Sequence, residues 1–229
     1  MPRGRYALVG KLILVRHGKT LLNALDDSER LRGWLDVPLD PQGLQEAITT
    51  AKCVAQYSID AIYTSDLCRA QQTAAALVQE TKAPLFHTYV LRPWNVGDLA
   101  GQRVADILPA LKRLELNPDM PAPGGESFSQ FYARFSGEIA NLLDAAARSR
   151  NCIVAVTHVR NLLATPTIVT GGDKTRIPVT GGPKTGSLLW VERRRGRWRI
   201  RLEQPPAAAE QLAGCSPALG DDFLETAAD

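Results

Sequence analysis

Histidine is scarce in this chain: His17, His87 and His158 are the three among 229 residues. Any imidazole chemistry must therefore come from very few side chains. The four cysteines, Cys53, Cys68, Cys152 and Cys215, are widely spaced and form no Cys-x-x-Cys pair. That pattern reads as reduced thiols of a cytoplasmic protein and speaks against a zinc cluster. No apolar run approaches the ~20 residues of a membrane span. The best candidate, Tyr6 to Val15, is broken by Gly10 and Lys11 and runs straight into Arg16-His17-Gly18. It reads as a buried strand, not a secretory signal. A strong charge of one sign is also missing: 27 Lys and Arg face 24 Asp and Glu, a net of +3. So mild a balance argues against nucleic acid as the main partner.

What is present suits an ordinary globular core, with 45% hydrophobic and 22% charged residues. Short apolar runs alternate with helical patterns, which predicts an α/β fold. Lys11 to Val15 and Cys152 to Val156 are apolar on both faces, as central parallel strands are. Asp60 to Tyr63 and Leu85 to Val90 read as further strands, and Ser187 to Glu192 with Arg197 to Glu203 as a hairpin turning at Arg195-Gly196. Helices are expected from Pro41 to about Tyr57, from a Ser65 cap through Glu80, over Asp106 to Leu116, over Glu126 to Arg148, and from about Arg160. Phe128, Phe131, Phe135, Ile139 and Leu142 mark the buried stripe of the longest. The expected architecture is a three-layer sheet, mostly parallel, with helices on both faces. One domain covers residues 1–203. Residues 204–229 form a Pro/Ala-rich acidic tail, predicted to be poorly ordered or a loosely docked helix.

Two of the doubly apolar strands end in histidine, at Arg16-His17-Gly18 and at Thr157-His158. In open α/β sheets functional groups gather at the carboxyl ends of strands, so these two histidines are candidates for one pocket. Arg16 adjoins the first of them, and Arg69 stands at the start of the helix after the second strand, where backbone amides favour an anion. Arginine forks bind phosphate oxygens bidentately, and a neutral imidazole is a nucleophile near pH 7. His87 lies apart from these segments and is taken as structural.

Leu14-Val15-Arg16-His17-Gly18-Lys19-Thr20 followed by Asn23 resembles the signature of the histidine phosphatase superfamily, the phosphoglycerate mutase-like family. Four further blocks match in the same order: Gly33-Trp34-Leu35-Asp36-Val37-Pro38-Leu39 with Gly43, Ser65-Asp66-Leu67-x-Arg69-Ala70-x-x-Thr73, Pro123-Gly124-Gly125-Glu126-Ser127, and Val156-Thr157-His158. The resemblance runs over about residues 11 to 192. It implies that His17 attacks phosphorus and becomes a phosphohistidine. Arg16, Arg69 and a protonated His158 would hold the phosphoryl oxygens, and Gly18, Thr20 and Asn23 would line the same pocket. Gly18 would let the backbone approach the phosphate. No metal and no cofactor are implied. The phosphoenzyme would pass its group to water or to another acceptor.

The family's usual general acid is a glutamate in a Leu-x-Glu block. Here that block reads Leu91-Arg92-Pro93-Trp94-Asn95-Val96-Gly97-Asp98, with Pro93 in the glutamate's place. Another branch carries an aspartate directly after the second histidine; here Val159 stands there. Three explanations remain open: Asp98 replaces the acid, the leaving group needs little acid help, or the chain binds phosphate with little turnover. Mutases carry a longer, carboxylate-gripping block at this point that this sequence lacks, which favours a phosphatase over a mutase. The substrate is expected to be a phosphorylated small molecule or phosphoprotein. Arg92, Trp34 and Trp94 are candidates to shape its pocket, under a lid formed by about residues 92 to 125. The Arg-rich stretch Glu192 to Arg201 is read as an exposed hairpin kept soluble by its charges, with Trp198 as its aromatic. The sequence leaves the oligomeric state open, a dimer included.

Overall fold

The computed structural model describes residues 11–24, 26–194 and 197–204, and the backbone of residues 224–225. In chain order its elements are β1 (Lys11–Arg16), α1 (Pro41–Val54), β2 (Ile59–Ser65), α2 (Cys68–Thr81), β3 (Leu85–Thr88), α3 (Val104–Leu116), α4 (Phe128–Arg148), β4 (Cys152–Thr157), α5 (Val159–Thr170), β5 (Leu188–Arg194), β6 (Arg197–Glu203) and β7 (Leu224–Glu225). The strands lie in the order β3-β2-β4-β1-β5-β6-β7. The first four of that order run parallel, and β5, β6 and β7 continue the sheet antiparallel.

Side chains alternate across a strand. Leu12 and Leu14 of β1 therefore enter one core, with α3, α4 and α5, while Ile13 and Val15 enter the other, with α1 and α2. A sheet apolar on both sides requires cover on both, which gives the three-layer α/β arrangement.

Caps set the helix starts. Asp40 accepts from the Gly43 amide at 2.7 Å with Pro41 opening the first turn of α1. Ser127 and Gln130 form a reciprocal capping box on α4, so that helix begins at Phe128, two residues later than composition suggested. Ser65 is not the cap of α2: it completes β2, and the Cys68 amide is instead met by Asp36 Oδ1 at 2.6 Å from a distant loop. The third strand stops at Thr88, whose hydroxyl accepts from the Val90 amide and turns the chain into a 3-10 turn over Tyr89–Leu91. Helices α3 and α5 begin at Val104 and Val159, slightly earlier than expected.

On the β5–β6 pair, Arg193 lies over the Trp198 ring and Arg201 over Trp190, each arginine directly opposite its ring in the strand register. Trp190 and Trp198 lie on opposite faces of the sheet, Trp190 in the core with α1 and α2 and Trp198 against the other core. The hairpin's tip at 195–196 lies outside the described residues, as does most of the tail. Leu224 and Glu225 are paired with Ile200 and Arg199 as an edge strand, neither coil nor helix. Cys68 and Cys152 carry free thiols. Among the described residues no helix is long and apolar enough to cross a membrane.

Candidate active site

β1 and β4 are parallel neighbours in strict register, with Arg16 opposite Thr157. The next residue of each strand is a histidine, so His17 and His158 leave the sheet side by side. Their ring centroids are 5.1 Å apart, and each residue is 2% exposed. The His17 amide donates to the Thr157 carbonyl at 3.0 Å, which locks the pair together. From here the chain leaves β1 toward β2 and leaves β4 toward β5, on opposite sides of the pair. Such a reversal opens a crevice at the carboxyl ends of the strands.

His17 Nδ1 lies 2.7 Å from its neighbour's carbonyl, Gly18 O. A carbonyl only accepts, so Nδ1 carries the proton and Nε2 keeps its lone pair. Burial, with the Arg69 and Arg16 charges next, holds the His17 imidazole well below its ordinary value of 6.5. Burial and then Arg69, His17, Arg16 and Arg32 do the same to His158. Burial first, and then the two guanidiniums, favour the neutral form of both imidazoles.

Arg69, 1% exposed, donates from Nη1 to Leu35 O at 2.6 Å and from Nη2 to Gly33 O at 2.9 Å. Arg16 donates from Nη1 to Pro183 O. Burial pulls each guanidinium down to about 9, still above neutral pH, so both stay cationic. The Nε atoms of Arg16 and Arg69 and both ring nitrogens of His158 are buried without a hydrogen-bond partner among the described residues. Leaving a buried donor unpaired costs ~1–3 kcal/mol. Three such donors, the two arginine Nε–H groups and the one N–H of a neutral His158, suit an anion in this crevice.

Two arginines of this crevice were not singled out from the sequence. Arg32, directly before the block that opens at Gly33, adds its charge to the burial that lowers Arg16, His17, Arg69, His158 and Arg160. Arg160, two residues after His158, donates to Pro178 O and, at 3.0 Å, to Gly181 O. It thereby grips the same 178–183 segment that Arg16 holds at Pro183. Their adjacency to recognised blocks was the available signal.

The remaining candidates fall in different places. Thr20 is wholly buried, and its amide and hydroxyl both meet Asn23 Oδ1 at 3.0 Å, so these two residues brace one turn beside His17. At Gly18 a Cβ would lie 2.4 Å from the Gly43 carbonyl, where the loop after β1 crosses the start of α1, so this crossing also requires glycine. Arg92 makes a bidentate pair with Asp66, 2.7 Å at both contacts, and lies over the Trp34 ring. Trp94 is 2% exposed and packs edge-on against Phe128 in the core. Asp98 sits exposed in a 3-10 turn over Gly97–Leu99, its carboxylate against Gly124, with no contact to either histidine among the described residues. His87 is exposed on β3.

The segment expected to form a lid is firmly tied at its root. The Pro93 carbonyl accepts from Trp34 at 2.8 Å and Arg134 at 3.2 Å, and Leu91 O accepts from Thr157 at 2.9 Å. Glu126 completes the tie, taking Arg134 at 2.7 Å and the Asn95 amide at 2.9 Å. Among the described residues no group of three or more His, Cys, Asp or Glu side chains is placed to share a metal ion.

Comparison with known proteins agrees with this geometry. The family model of the histidine phosphatase superfamily (branch 1) matches residues 12–204. An uncharacterized phosphatase of Bacillus subtilis, PhoE, is 30% identical over 160 residues, 70% of this chain and 77% of its own. A 2,3-bisphosphoglycerate-dependent phosphoglycerate mutase of Protochlamydia amoebophila is 35% identical over 116 residues, 48% of this chain and 50% of the mutase. Matches to the first mutase relatives span half of their length or less. A mycobacterial glucosyl-3-phosphoglycerate phosphatase superposes with a TM-score of 0.73 at 24% identity, over 87% of this chain and 100% of that one. That likeness shows the shared fold.

Proposed function

Because the chain belongs to the histidine phosphatase superfamily, branch 1, we propose that it hydrolyses a phosphorylated small molecule through a phosphohistidine on His17, without metal or cofactor. The observation that carries this reading is the neutral His17, its Nδ1 held by Gly18 O and its Nε2 free, beside His158 and the guanidiniums of Arg16 and Arg69. Nε2 attacks phosphorus in line with the departing oxygen. The Arg16 and Arg69 donors take the equatorial oxygens, where charge gathers in the transition state. A bound dianion also favours the proton on His158 that burial now excludes, so His158 becomes a donor when the substrate arrives. Water then attacks the phosphohistidine and releases orthophosphate.

The test is turnover of an aryl phosphate with and without chelator. The proposal expects no change with chelator and loss of activity in His17→Asn. Activity that needs a metal, or that survives this substitution, contradicts it. The relatives named as mutases favour transfer to a second acceptor instead; that reading requires phosphoglycerate isomerisation primed by a bisphosphate, which the proposal expects to be absent.

A further inference from the structure

We infer that the substrate is a diphosphate whose terminal phosphoryl group is removed, with Arg32 and Arg160 holding the phosphate that leaves. This inference rests on the phosphohistidine reading above and names the substrate class of that same site.

The first observation concerns the proton donor. Pro93 offers only a carbonyl, already taken by Trp34 and Arg134. Val159 has no proton to give, and its side chain lies against Gly182. Asp98 is turned onto Gly124 at the surface. Four other carboxylates act electrostatically on the site's arginines: Glu29 and Glu46 on Arg16, Asp36 on Arg69, and Glu115 on Arg160. Each is engaged as an acceptor. Glu29 pairs with Arg32 at 3.2 Å, Glu46 takes the Lys19 amide at 2.9 Å, Asp36 takes the Cys68 amide at 2.6 Å, and Glu115 takes the Val179 amide at 3.3 Å. None of the four makes a hydrogen bond to His17 or His158 among the described residues.

The second observation concerns positive charge. Arg16 and Arg69 suffice to face one phosphoryl dianion. Arg32 and Arg160 add two more guanidiniums. Glu29 offsets Arg32 in part, while Arg160 is bonded only to the carbonyls of Pro178, Thr180 and Gly181 among the described residues. The backbone ties these two arginines to the site: Arg69 grips Gly33, the residue after Arg32, Arg160 shares the 178–183 segment with Arg16, and Arg32 is itself braced on the Leu22 and Arg30 carbonyls. The α5 N-terminus adds its dipole, for His158 occupies the cap position without a side-chain bond to the first turn.

A diphosphate substrate accounts for a missing acid and surplus cations together. An alkoxide must be protonated as it leaves, but a phosphate leaves as an anion and needs positive charge instead. In the first step the bond between the terminal phosphorus and the bridging oxygen breaks, and the Nε2–P bond forms. The bridging oxygen departs unprotonated on the remaining monophosphate, between Arg32 and Arg160. In the second step water's oxygen bonds to phosphorus and keeps one proton, the N–P pair returns to Nε2 of His17, and water's other proton passes to another oxygen of the orthophosphate. The balance is a diphosphate plus water giving a monophosphate plus orthophosphate.

The experiment compares kcat/KM for methyl diphosphate, methyl phosphate and p-nitrophenyl phosphate on the full chain with chelator present. General acid help is worth about 10²–10⁴-fold where the leaving group needs it, so methyl diphosphate should exceed methyl phosphate by at least ~100-fold. Arg32→Gln and Arg160→Gln should each cost the diphosphate roughly 10–100-fold, the weight of a charge-assisted contact, and at least ~10-fold more than they cost the aryl phosphate. Arg32→Lys, which keeps the charge, should recover part of the loss, and an unchanged melting temperature shows that the variants fold. Equal rates on the methyl esters, or equal losses on diphosphate and aryl phosphate, overturn the inference while the phosphohistidine reading stands. A selective loss of methyl phosphate turnover in Glu29→Gln makes Glu29 an acid and also overturns it. Absence of any phosphoenzyme removes the underlying reading itself.

Discussion

The Nδ1–H of His17 donates to the carbonyl of Gly18 at 2.7 Å, so a backbone atom one residue away decides which ring nitrogen is nucleophilic. With burial and two arginines opposing protonation, the ring is a neutral Nδ1–H tautomer. Nitrogen NMR on histidine-labelled protein at pH 7 should show a protonated Nδ1 and an unprotonated Nε2 for His17. An imidazolium signal, or the opposite tautomer, contradicts this assignment.

Stability should fall with pH in a defined window. The folded values of His17 and His158 lie below 6.5, while unfolded histidine keeps its ordinary value near ~6.5. Above that pH neither state is charged at these rings, and they contribute nothing to the pH dependence. Below it the unfolded chain binds protons that the folded chain refuses, so stability is lost as pH falls. Melting temperature should decline from pH 7 to 5, and the decline should flatten in a His17→Asn/His158→Asn variant. Asp60 and Asp66, depressed by bonds from Ser149 and Arg92, act in a separate, lower window: their contribution is present above 3.8 and lost beneath it.

Arg69→Lys tests whether a fork is needed and not merely a charge. Lysine cannot bridge Gly33 and Leu35 while also facing an anion. The substitution should lower kcat for an aryl phosphate by about 10²–10³-fold and reduce stability by ~1–3 kcal/mol through the unpaired carbonyls. Denaturant titration beside steady-state kinetics separates the two. Activity within a few-fold of the parent would show that Arg69 is a scaffold residue only.

The crossing of the loop after β1 with α1 should be intolerant of any side chain. A Cβ on Gly43 would come within 1.9 Å of Lys19 O, and one on Gly18 within 2.4 Å of Gly43 O. Overpacking costs ~1–3 kcal/mol, so Gly18→Ala and Gly43→Ala should each unfold at lower denaturant, Gly43→Ala first. A neutral effect of both would mean that the loop yields easily.

Much of this was legible in the chain because hydrophobic pattern speaks for local structure. A strand apolar on both faces that ends in histidine announces both a central strand and a strand-end side chain, and β1 and β4 carry that pattern. Their adjacency was not legible, since register between Arg16 and Thr157 depends on residues far apart in sequence. The same holds for Asp36 meeting the Cys68 amide in place of Ser65, and for Arg92, drawn to Asp66. Charge states were also hidden. Whether His158 is protonated depends first on its own burial and then on the charges of Arg69 and His17 beside it, and spacing says nothing of depth.

The most direct measurement is acid-sensitive trapping of the phosphoenzyme. Protein mixed with a radiolabelled phosphoryl donor and quenched in alkali should retain label on His17, lose it in acid, and fail to acquire it in His17→Asn. Substrate turnover with no trapped label, or label that persists in the variant, would contradict the account.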